Sequence, residues 1–365
     1  MPQRRGKRIG LLTGGGDCPG LNAVLRGVVK AGSYQHGMEF IGFLDGYAGL
    51  LHDRFMRLDG DAVSGILPRG GTILGSSNRD NPFRVPETEG GETVYKDRSD
   101  EACRTAERHG LEGLVVIGGD GSLSIAHQLQ QKGVKIVGVP KTIDNDLAAT
   151  DVTFGFDTAL MTATEAVDKL HTTAESHHRI MVVEVMGRYA GWIALEAGMA
   201  GGGDVILIPE IPFDIERTVE ALRERAYRGR TFSIIVVAEG AAPQGGAQVV
   251  KRTIADSTDP VRLGGIGAWL ASQLEPRMET EIRVTVLGHL QRGGTPTAFD
   301  RVLATRFGVA AAEAVERGEW GVMTALKSTE VRCVPLAEAV AELRRVDPAS
   351  EIVRAARSVG TSFGD

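Results

Sequence analysis

The sequence predicts an α/β fold with mostly parallel sheets, and three observations predict it. Short β-branched runs alternate with stretches of helical periodicity. Unusual polar loops, four of them with glycines, follow directly on five of those runs. The length of 365 residues, with 42% hydrophobic and 24% charged residues, suits two globular domains with substantial cores.

The strand-like runs are Arg8 to Thr13, Glu39 to Asp45, Leu114 to Ile117, Lys135 to Pro140, Arg179 to Val185, Val205 to Ile208, Ser233 to Val237 and Arg283 to Leu287. Between the first two, Leu21, Val24, Leu25, Val28 and Val29 recur at helical spacing, and Gly32 reads as the C-terminal cap. The same pattern predicts helices over 123–132, 157–174, 215–227 and 300–316. The segment from Arg84 to Asp100 is polar and aperiodic, which predicts an exposed insertion. Beyond about Cys333 a helix and then a loose SVGTSFGD tail are expected.

Composition excludes several classes. No apolar run approaches the roughly 18 residues that span a bilayer. The basic start (Arg4, Arg5, Lys7, Arg8) leads into a strand rather than the apolar centre of a signal peptide, so a cytoplasmic protein is expected. A net charge of −6 without a long basic block argues against nucleic acid or an anionic membrane as partner. Cys18, Cys103 and Cys333 lie far apart, form no zinc-like pattern, and are read as reduced thiols. Cys18 stands where a helix N-terminus lowers a thiol pKa, but nothing nearby suggests thiol chemistry. Glycine is in excess: 48 residues, about 13% against an average near 7%, clustered in short loops that let backbone approach a ligand.

Five loops after the strand-like runs stand out: GGGDCPG, GGDGS, MGRYAG and HLQRGG, which carry glycines, and the polar KTIDND. Ligands of open parallel sheets bind beyond the carboxyl ends of strands, so five such loops on one edge predict a shared cleft. Gly14, Gly15 and Gly16 let backbone approach a phosphate at a helix N-terminus, although the loop is neither a Walker A nor a GxGxxG sequence. In Gly118-Gly119-Asp120-Gly121-Ser122 the glycines admit phosphate oxygens, Ser122 caps a helix or bonds a phosphate, and Asp120 is placed to hold Mg²⁺. Lys141-Thr142-Ile143-Asp144-Asn145-Asp146 offers two carboxylates on a loop. Asp144 suits a base that accepts a hydroxyl proton, and Asp146 lies near the metal or orients the loop. The alternative for both is Asx-turn capping. Arg179, Arg188, Arg283, His289 and Arg292 with the lone acid Glu239 suit a sugar phosphate, guanidinium forks taking phosphate and the carboxylate taking hydroxyls. His177 and His178 have no metal-like partners in sequence.

Taken in order, GGGDCPGLN, DGYAGL, GGTILGSSNR, GGDGS, PKTIDND, VEVMGRYAG and LGHLQRGGTPTAFDR resemble the 6-phosphofructokinase family, from about Lys7 to Gly318. The resemblance implies two three-layer α/β domains with chain crossovers and the active site in the cleft between them. Residues 1–155 plus 291–340 would bind the donor, and 156–290 plus 341–365 the sugar. It implies phosphorylation of the 1-hydroxyl of fructose 6-phosphate in glycolysis with ATP and Mg²⁺. The donor would meet Gly15, Gly16, Tyr47, Arg79, Gly121 and Ser122, and the metal Asp120. Lys141, Thr142, Asp144, Asp146 and Arg188 would serve catalysis. The sugar phosphate would meet Thr142, Asp144, Met186, Gly187, Arg188, Glu239, His289 and Arg292, with Arg179 and Arg283 reaching in from a neighbouring subunit of a homodimer or homotetramer. Lys141 is the choice of pyrophosphate-dependent members and Gly121 that of ATP-dependent ones. The combination resembles the family's mixed-substrate group, and pyrophosphate is the alternative donor. GSSNRDNPF is one or two residues longer than the simplest family pattern. Arg26, Arg54, Arg228 and Arg230 stand where a basic effector pocket would lie, with His171 in place of an arginine. GGDG alone is shared with NAD kinases and lipid kinases, which have no need of TIDND, MGR and HLQRGG together.

Overall fold

The computed structural model describes residues 6–253 and 261–365; Arg4 and Arg5 of the basic start lie outside them. The first half of the chain runs β1 (Arg8–Thr13), α1 (Leu21–His36), β2 (Glu39–Phe43), α2 (Tyr47–Leu51), β3 (Phe55–Leu58), β4 (Val85–Glu89), β5 (Glu92–Lys96), α3 (Ser99–Arg108), β6 (Gly113–Gly118), α4 (Asp120–Gln131) and β7 (Ile136–Pro140). It continues through α5 (Phe156–His177), β8 (Ile180–Val185), α6 (Trp192–Ala200), β9 (Val205–Leu207), α7 (Ile215–Tyr227), β10 (Ser233–Ala238), β11 (Val250–Thr253), β12 (Val261–Leu263), α8 (Ile266–Leu274) and β13 (Ile282–Val286). It ends with α9 (Ala298–Arg317), β14 (Val322–Lys327), β15 (Glu330–Pro335), α10 (Leu336–Ala339) and α11 (Glu351–Ser358).

Two main sheets result. One has seven strands in the order β15-β14-β7-β6-β1-β2-β3, parallel except for the outer strands β3 and β15. The other has four parallel strands in the order β13-β8-β10-β9. Their central strands are apolar on both faces because both faces are covered, as parallel sheets require. Ile9, Leu11 and Val115 of the first sheet belong to the same buried cluster as Val183, Val185 and Ile234 of the second, so the sheets share a core. Their outer faces pack separately, Leu12 and Val116 in one cluster, Val182 and Ile235 in another. The strands of the larger sheet fall within 1–155 and 291–340, those of the smaller within 156–290.

This arrangement corrects one expectation directly: the five loops do not lie on one sheet edge. GGGDCPG, GGDGS and KTIDND leave the carboxyl ends of β1, β6 and β7, whereas MGRYAG and HLQRGG follow β8 and β13 of the other sheet. Gly32 is not a cap, since α1 runs one turn further and ends at Gly37, whose φ of 64° is the left-handed conformation of a helix stop. The Arg84 to Asp100 insertion is exposed but not aperiodic. β4 and β5 form an antiparallel hairpin turning at Gly90-Gly91, tied by Arg98 to Glu87 and Glu101.

The tail is not loose. Ser362 O accepts from Ile206 N at 2.9 Å and Gly364 O from Asp214 N, which adds the tail to the edge of the smaller sheet at Val205. Phe363 is fully buried, and Arg357 pairs with Asp365 at 2.6 Å. A single aromatic anchor among small polar residues carries no periodicity. Phe363→Ala is expected to cost about 3–5 kcal/mol, the range for emptying a buried Phe site, read as a lowered midpoint of denaturant unfolding. No helix among the described residues is long and apolar enough to cross a membrane.

Candidate active site

The carboxyl edges of the two sheets face each other across a cleft of about 1410 Å³. On the side of the larger sheet it is lined by Gly15, Gly16, Tyr47, Arg79, Asp120, Gly121, Ser122, Lys141, Thr142, Asp144 and Asp146; on the other by Met186, Arg188, Glu239, His289 and Arg292.

The loop after β1 is held by backbone bonds from Gly14 N to Ile117 O and Gly15 N to Ser77 O. A side chain at Gly16 would collide with the Arg292 guanidinium, whose Nη1 donates to Asp17 O at 3.1 Å. Lys141 Nζ donates to Gly16 O, and its amine is buried, which pushes its pKa down. Lys141 and Arg292 therefore both bond backbone carbonyls of the glycine loop. Cys18 is buried beside them; burial pushes its thiol up to about 12, so a helix N-terminus does not activate it.

Asp120 opens α4 with Gly119 as the N-cap, so Ser122 lies inside the first turn and is not the cap. Tyr47 is 2% exposed and spends its hydroxyl on Ser122 O at 2.7 Å, supporting that turn from below. Burial pushes the Asp120 carboxyl up, and no cation offsets it. No cluster of three or more metal-ligating side chains occurs among the described residues. One carboxylate on a helix start suits Mg²⁺, which keeps waters and phosphate oxygens as its remaining ligands.

The loop after β7 is a tight turn made by other residues than its aspartates. Thr142 Oγ1 accepts from Asp144 N at 3.0 Å, Asn145 stands at φ 53°, and Asn145 Oδ1 accepts from Thr153 N at 3.0 Å. The local i to i+2 turn bond thus belongs to Thr142 rather than to either aspartate, and both Asp144 and Asp146 line the cleft. Asp144 Oδ1 is buried and has no hydrogen-bond partner. Burial raises the pKa of Asp144, against the pull of Arg292, Lys141 and Arg188; burial and the Asp144 charge raise that of Asp146.

Across the cleft, Gly187 turns the chain after β8 at φ 127°, and its carbonyl accepts from Gly240 N at 3.1 Å. Gly187 itself backs the cleft wall rather than lining it. The Arg188 guanidinium lies over the Tyr189 ring at 4.9 Å, and Gln248 Nε2 bridges Arg188 O and Gly240 O. Glu239 follows β10, and its carboxyl is pushed up to about 7 by burial, then by the charges of Asp144 and Glu184. His289 and Arg292 ride on a short 3₁₀ turn, Gly288–Arg292.

Two residues expected to reach in from a neighbouring subunit lie outside this chain's own cleft. Arg179 and Arg283 stand at the amino ends of β8 and β13, the edge opposite the cleft, and both pair with Glu281. In a parallel sheet a residue at the start of a strand cannot reach ligands beyond its end. Ser76, Ser77, Asn78, Leu263 and Leu343 also line the cleft and were not singled out from sequence. The first three sit in the GGTILGSSNR motif, where small polar residues carried the signal; the leucines carried none. Of the arginines at the expected effector positions, Arg54 pairs with Asp45 and Arg228 with Glu224.

Two α/β sheets opposed across phosphate-type glycine loops, buried carboxylates and convergent cations define an enzyme cleft for phosphorylated substrates. The chain belongs to the phosphofructokinase family: the family model for phosphofructokinase matches residues 8–315. It is 55% identical over 361 residues to ATP-dependent 6-phosphofructokinase 2 of Clostridium perfringens, covering 98% of this chain and 99% of that protein. It is 56% identical over 341 residues to pyrophosphate–fructose 6-phosphate 1-phosphotransferase of Amycolatopsis methanolica, covering 93% of this chain and 96% of that protein. The phosphofructokinase structure from Saccharomyces cerevisiae superimposes with a TM-score of 0.76 at 33% identity, covering 92% of this chain and 45% of the longer yeast chain.

Proposed function

We propose that the protein is a 6-phosphofructokinase that transfers a phosphoryl group from ATP to the 1-hydroxyl of fructose 6-phosphate, yielding fructose 1,6-bisphosphate in glycolysis. The observation that carries this is the buried Asp144 carboxylate, with one oxygen unbonded, between the glycine loops and the Arg188–Glu239 wall. Residues 1–155 plus 291–340 form the donor half, and 156–290 plus 341–365 the sugar half.

ATP phosphates lie along Gly15, Gly16, Gly121 and Ser122, with Tyr47 beneath the α4 turn and Arg79 at the mouth of the cleft. Arg188, His289 and Arg292 with Glu239 and Met186 orient the sugar phosphate, placing its 1-hydroxyl at Asp144. Asp144 takes the hydroxyl proton as the oxygen attacks the terminal phosphorus; Lys141, Thr142 and Arg188 offset the charge that spreads over the transferring group. Asp120, with Asp146 nearby, would hold Mg²⁺, which would neutralise phosphate charge. The resemblance of these two substrates to those named for the Clostridium relative supports the reading. Its test is formation of ADP and fructose 1,6-bisphosphate in equal amounts, with NAD and diacylglycerol inert as acceptors. Phosphorylation of either in place of the sugar overturns it. Pyrophosphate is the second reading for the donor, favoured by Lys141 and by the name of the Amycolatopsis relative. Both substrates are soluble and phosphorylated, which suits a cytoplasmic enzyme.

The carboxyls of the cleft set the pH dependence. A base works only when ionised, and burial raises the Asp144 pKa above the ordinary carboxylate value. The kcat/KM of the free enzyme is expected to fall as pH drops through about 7, where Glu239 and Asp146 take protons. An acid limb near about 4, the range of unperturbed carboxyls, contradicts this.

The active form is a homodimer or homotetramer in which Arg179 and Arg283 complete a neighbour's cleft. Their place at the far edge of the smaller sheet is compatible with no role in their own cleft. Mixing Arg283→Ala with Asp144→Ser chains is expected to restore activity in hybrids, because one interface then assembles an intact site. No recovery after verified subunit exchange counts against sharing.

A further inference from the structure

After α10 the chain turns back across the cleft. Leu343 lines it and forms an antiparallel bridge with Leu147, the residue after the TIDND turn. Arg344 is then engaged at four points. Its backbone N donates to Asp146 O at 2.8 Å, and its Nη1 donates to Asn145 O at 3.1 Å. Its carbonyl accepts from Trp192 Nε1 at 3.1 Å, and its guanidinium stacks on the Trp192 ring, 4.1 Å from the centroid. Trp192 opens α6 directly after the MGRYAG loop. Two residues further, Val346 N donates at 2.8 Å to Glu210, whose carboxylate also accepts from Gly191 N of that loop. One short segment therefore ties the turn carrying Asp144 and Asp146, at the edge of one sheet, to the loop carrying Arg188, at the edge of the other.

The turn has reason to need such a tie. Asn145 is held in the left-handed region, a conformation that persists in a non-glycine residue only where surroundings enforce it. Two buried carboxylates two residues apart repel each other and are drawn toward water. The Arg344 guanidinium bond to Asn145 O and its backbone N–H bond to Asp146 O restrain the turn at its centre and on the side away from Thr142. We propose that Arg344 is a positioning residue for phosphoryl transfer: by clamping Asn145 against Trp192 with its guanidinium, beside the backbone bond to Asp146, it aims Asp144 at the acceptor hydroxyl. The inference rests on the function proposed above. The guanidinium is suited to the task because its plane covers the indole while its edge donates to the carbonyl; a lysine ammonium supplies the donor without the same flat stack.

The test compares full-length Arg344→Ala and Arg344→Lys with the unmutated protein in kcat, KM, thermal midpoint and amide hydrogen exchange over residues 144–147. A misplacement of about 1 Å costs on the order of 10²-fold in rate. Arg344→Ala is accordingly expected to lose about that much in kcat, with KM for fructose 6-phosphate changed less than about threefold. Arg344→Lys is expected to keep an intermediate kcat, and added guanidinium to restore part of the alanine variant's rate. A kcat for the alanine variant within twofold of the unmutated protein overturns the proposal. So does a lysine variant no better than alanine together with failure of guanidinium rescue. Should the unmutated protein not phosphorylate fructose 6-phosphate, the proposed function fails. Exchange then still tests the clamp: faster exchange at 144–147 in Arg344→Ala supports it, and unchanged exchange overturns it.

Discussion

Asp144→Ser is expected to lower kcat by about 10²–10⁴-fold, the usual loss when a general base is removed, while leaving the fold and substrate binding nearly intact. The carboxylate is buried and one of its oxygens has no hydrogen-bond partner, so deleting it removes an uncompensated polar atom rather than a structural bond. The sign of the stability effect follows from its pKa. Burial raises the folded-state value above the unfolded one, so above the unfolded pKa the native state binds more protons and stability falls as pH rises. At pH 8 the serine variant should therefore melt at or above the temperature of the unmutated protein. The Thr142 bond to the backbone of residue 144 needs no side chain there and survives the change. KM for both substrates is expected within about threefold. A variant that keeps more than half of the original kcat would sink the assignment of Asp144 as base.

Gly121→Asp is expected to cut ATP use sharply while sparing pyrophosphate. A Cβ built on Gly121 meets nothing within 4 Å, so an aspartate side chain is accommodated without disturbing α4. Its carboxylate would instead project into the cleft beside Asp120, where the inner phosphates of a nucleotide must lie. Repulsion between the added charge and an α-phosphate a few ångströms away costs about 1–4 kcal/mol for charges about 4 Å apart, depending on the water left between them. That corresponds to roughly 5- to 10³-fold in kcat/KM for ATP. Pyrophosphate has no third phosphate or nucleoside to place there. Lys141 neutralises charge on a transferring group from either donor, so the variant should keep the pyrophosphate rate that the unmutated protein has. Equal losses for the two donors would show that residue 121 does not discriminate between them.

Much of the larger plan was legible because parallel strands covered on both faces leave continuous apolar runs, as in β1, β6, β7, β8 and β10. The cleft loops were legible because their chemistry departs from ordinary turns. Three kinds of feature were not. α6 and α8 are apolar on most sides, and helices without an amphipathic stripe leave no 3.6-residue signal. The β14–β15 and β4–β5 hairpins alternate weakly between polar and apolar residues, and a two-residue Gly-Gly connection was the one cue to the second. Contacts made across long sequence separations left no local trace at all. The opposition of two sheets, the docking of Phe363 and the crossing of Leu343 and Arg344 over the TIDND turn depend on tertiary packing. Arg344 in particular sits in AELRRVD, a stretch that reads as a solvated charge run. Within the site, Asp144 and Lys141 were legible as residue types, but their burial was not.

The most direct measurement is the initial rate of the unmutated protein with fructose 6-phosphate and either ATP or pyrophosphate under identical conditions. Gly121 leaves open the space an ATP α-phosphate needs, and Lys141, buried against Gly16 O, is compatible with both donors. The expected result is phosphorylation of fructose 6-phosphate with kcat/KM for ATP at least about tenfold above that for pyrophosphate, a difference of about 1.4 kcal/mol in transition-state stabilisation. Faster turnover with pyrophosphate would contradict it and make Lys141 the residue that sets the donor.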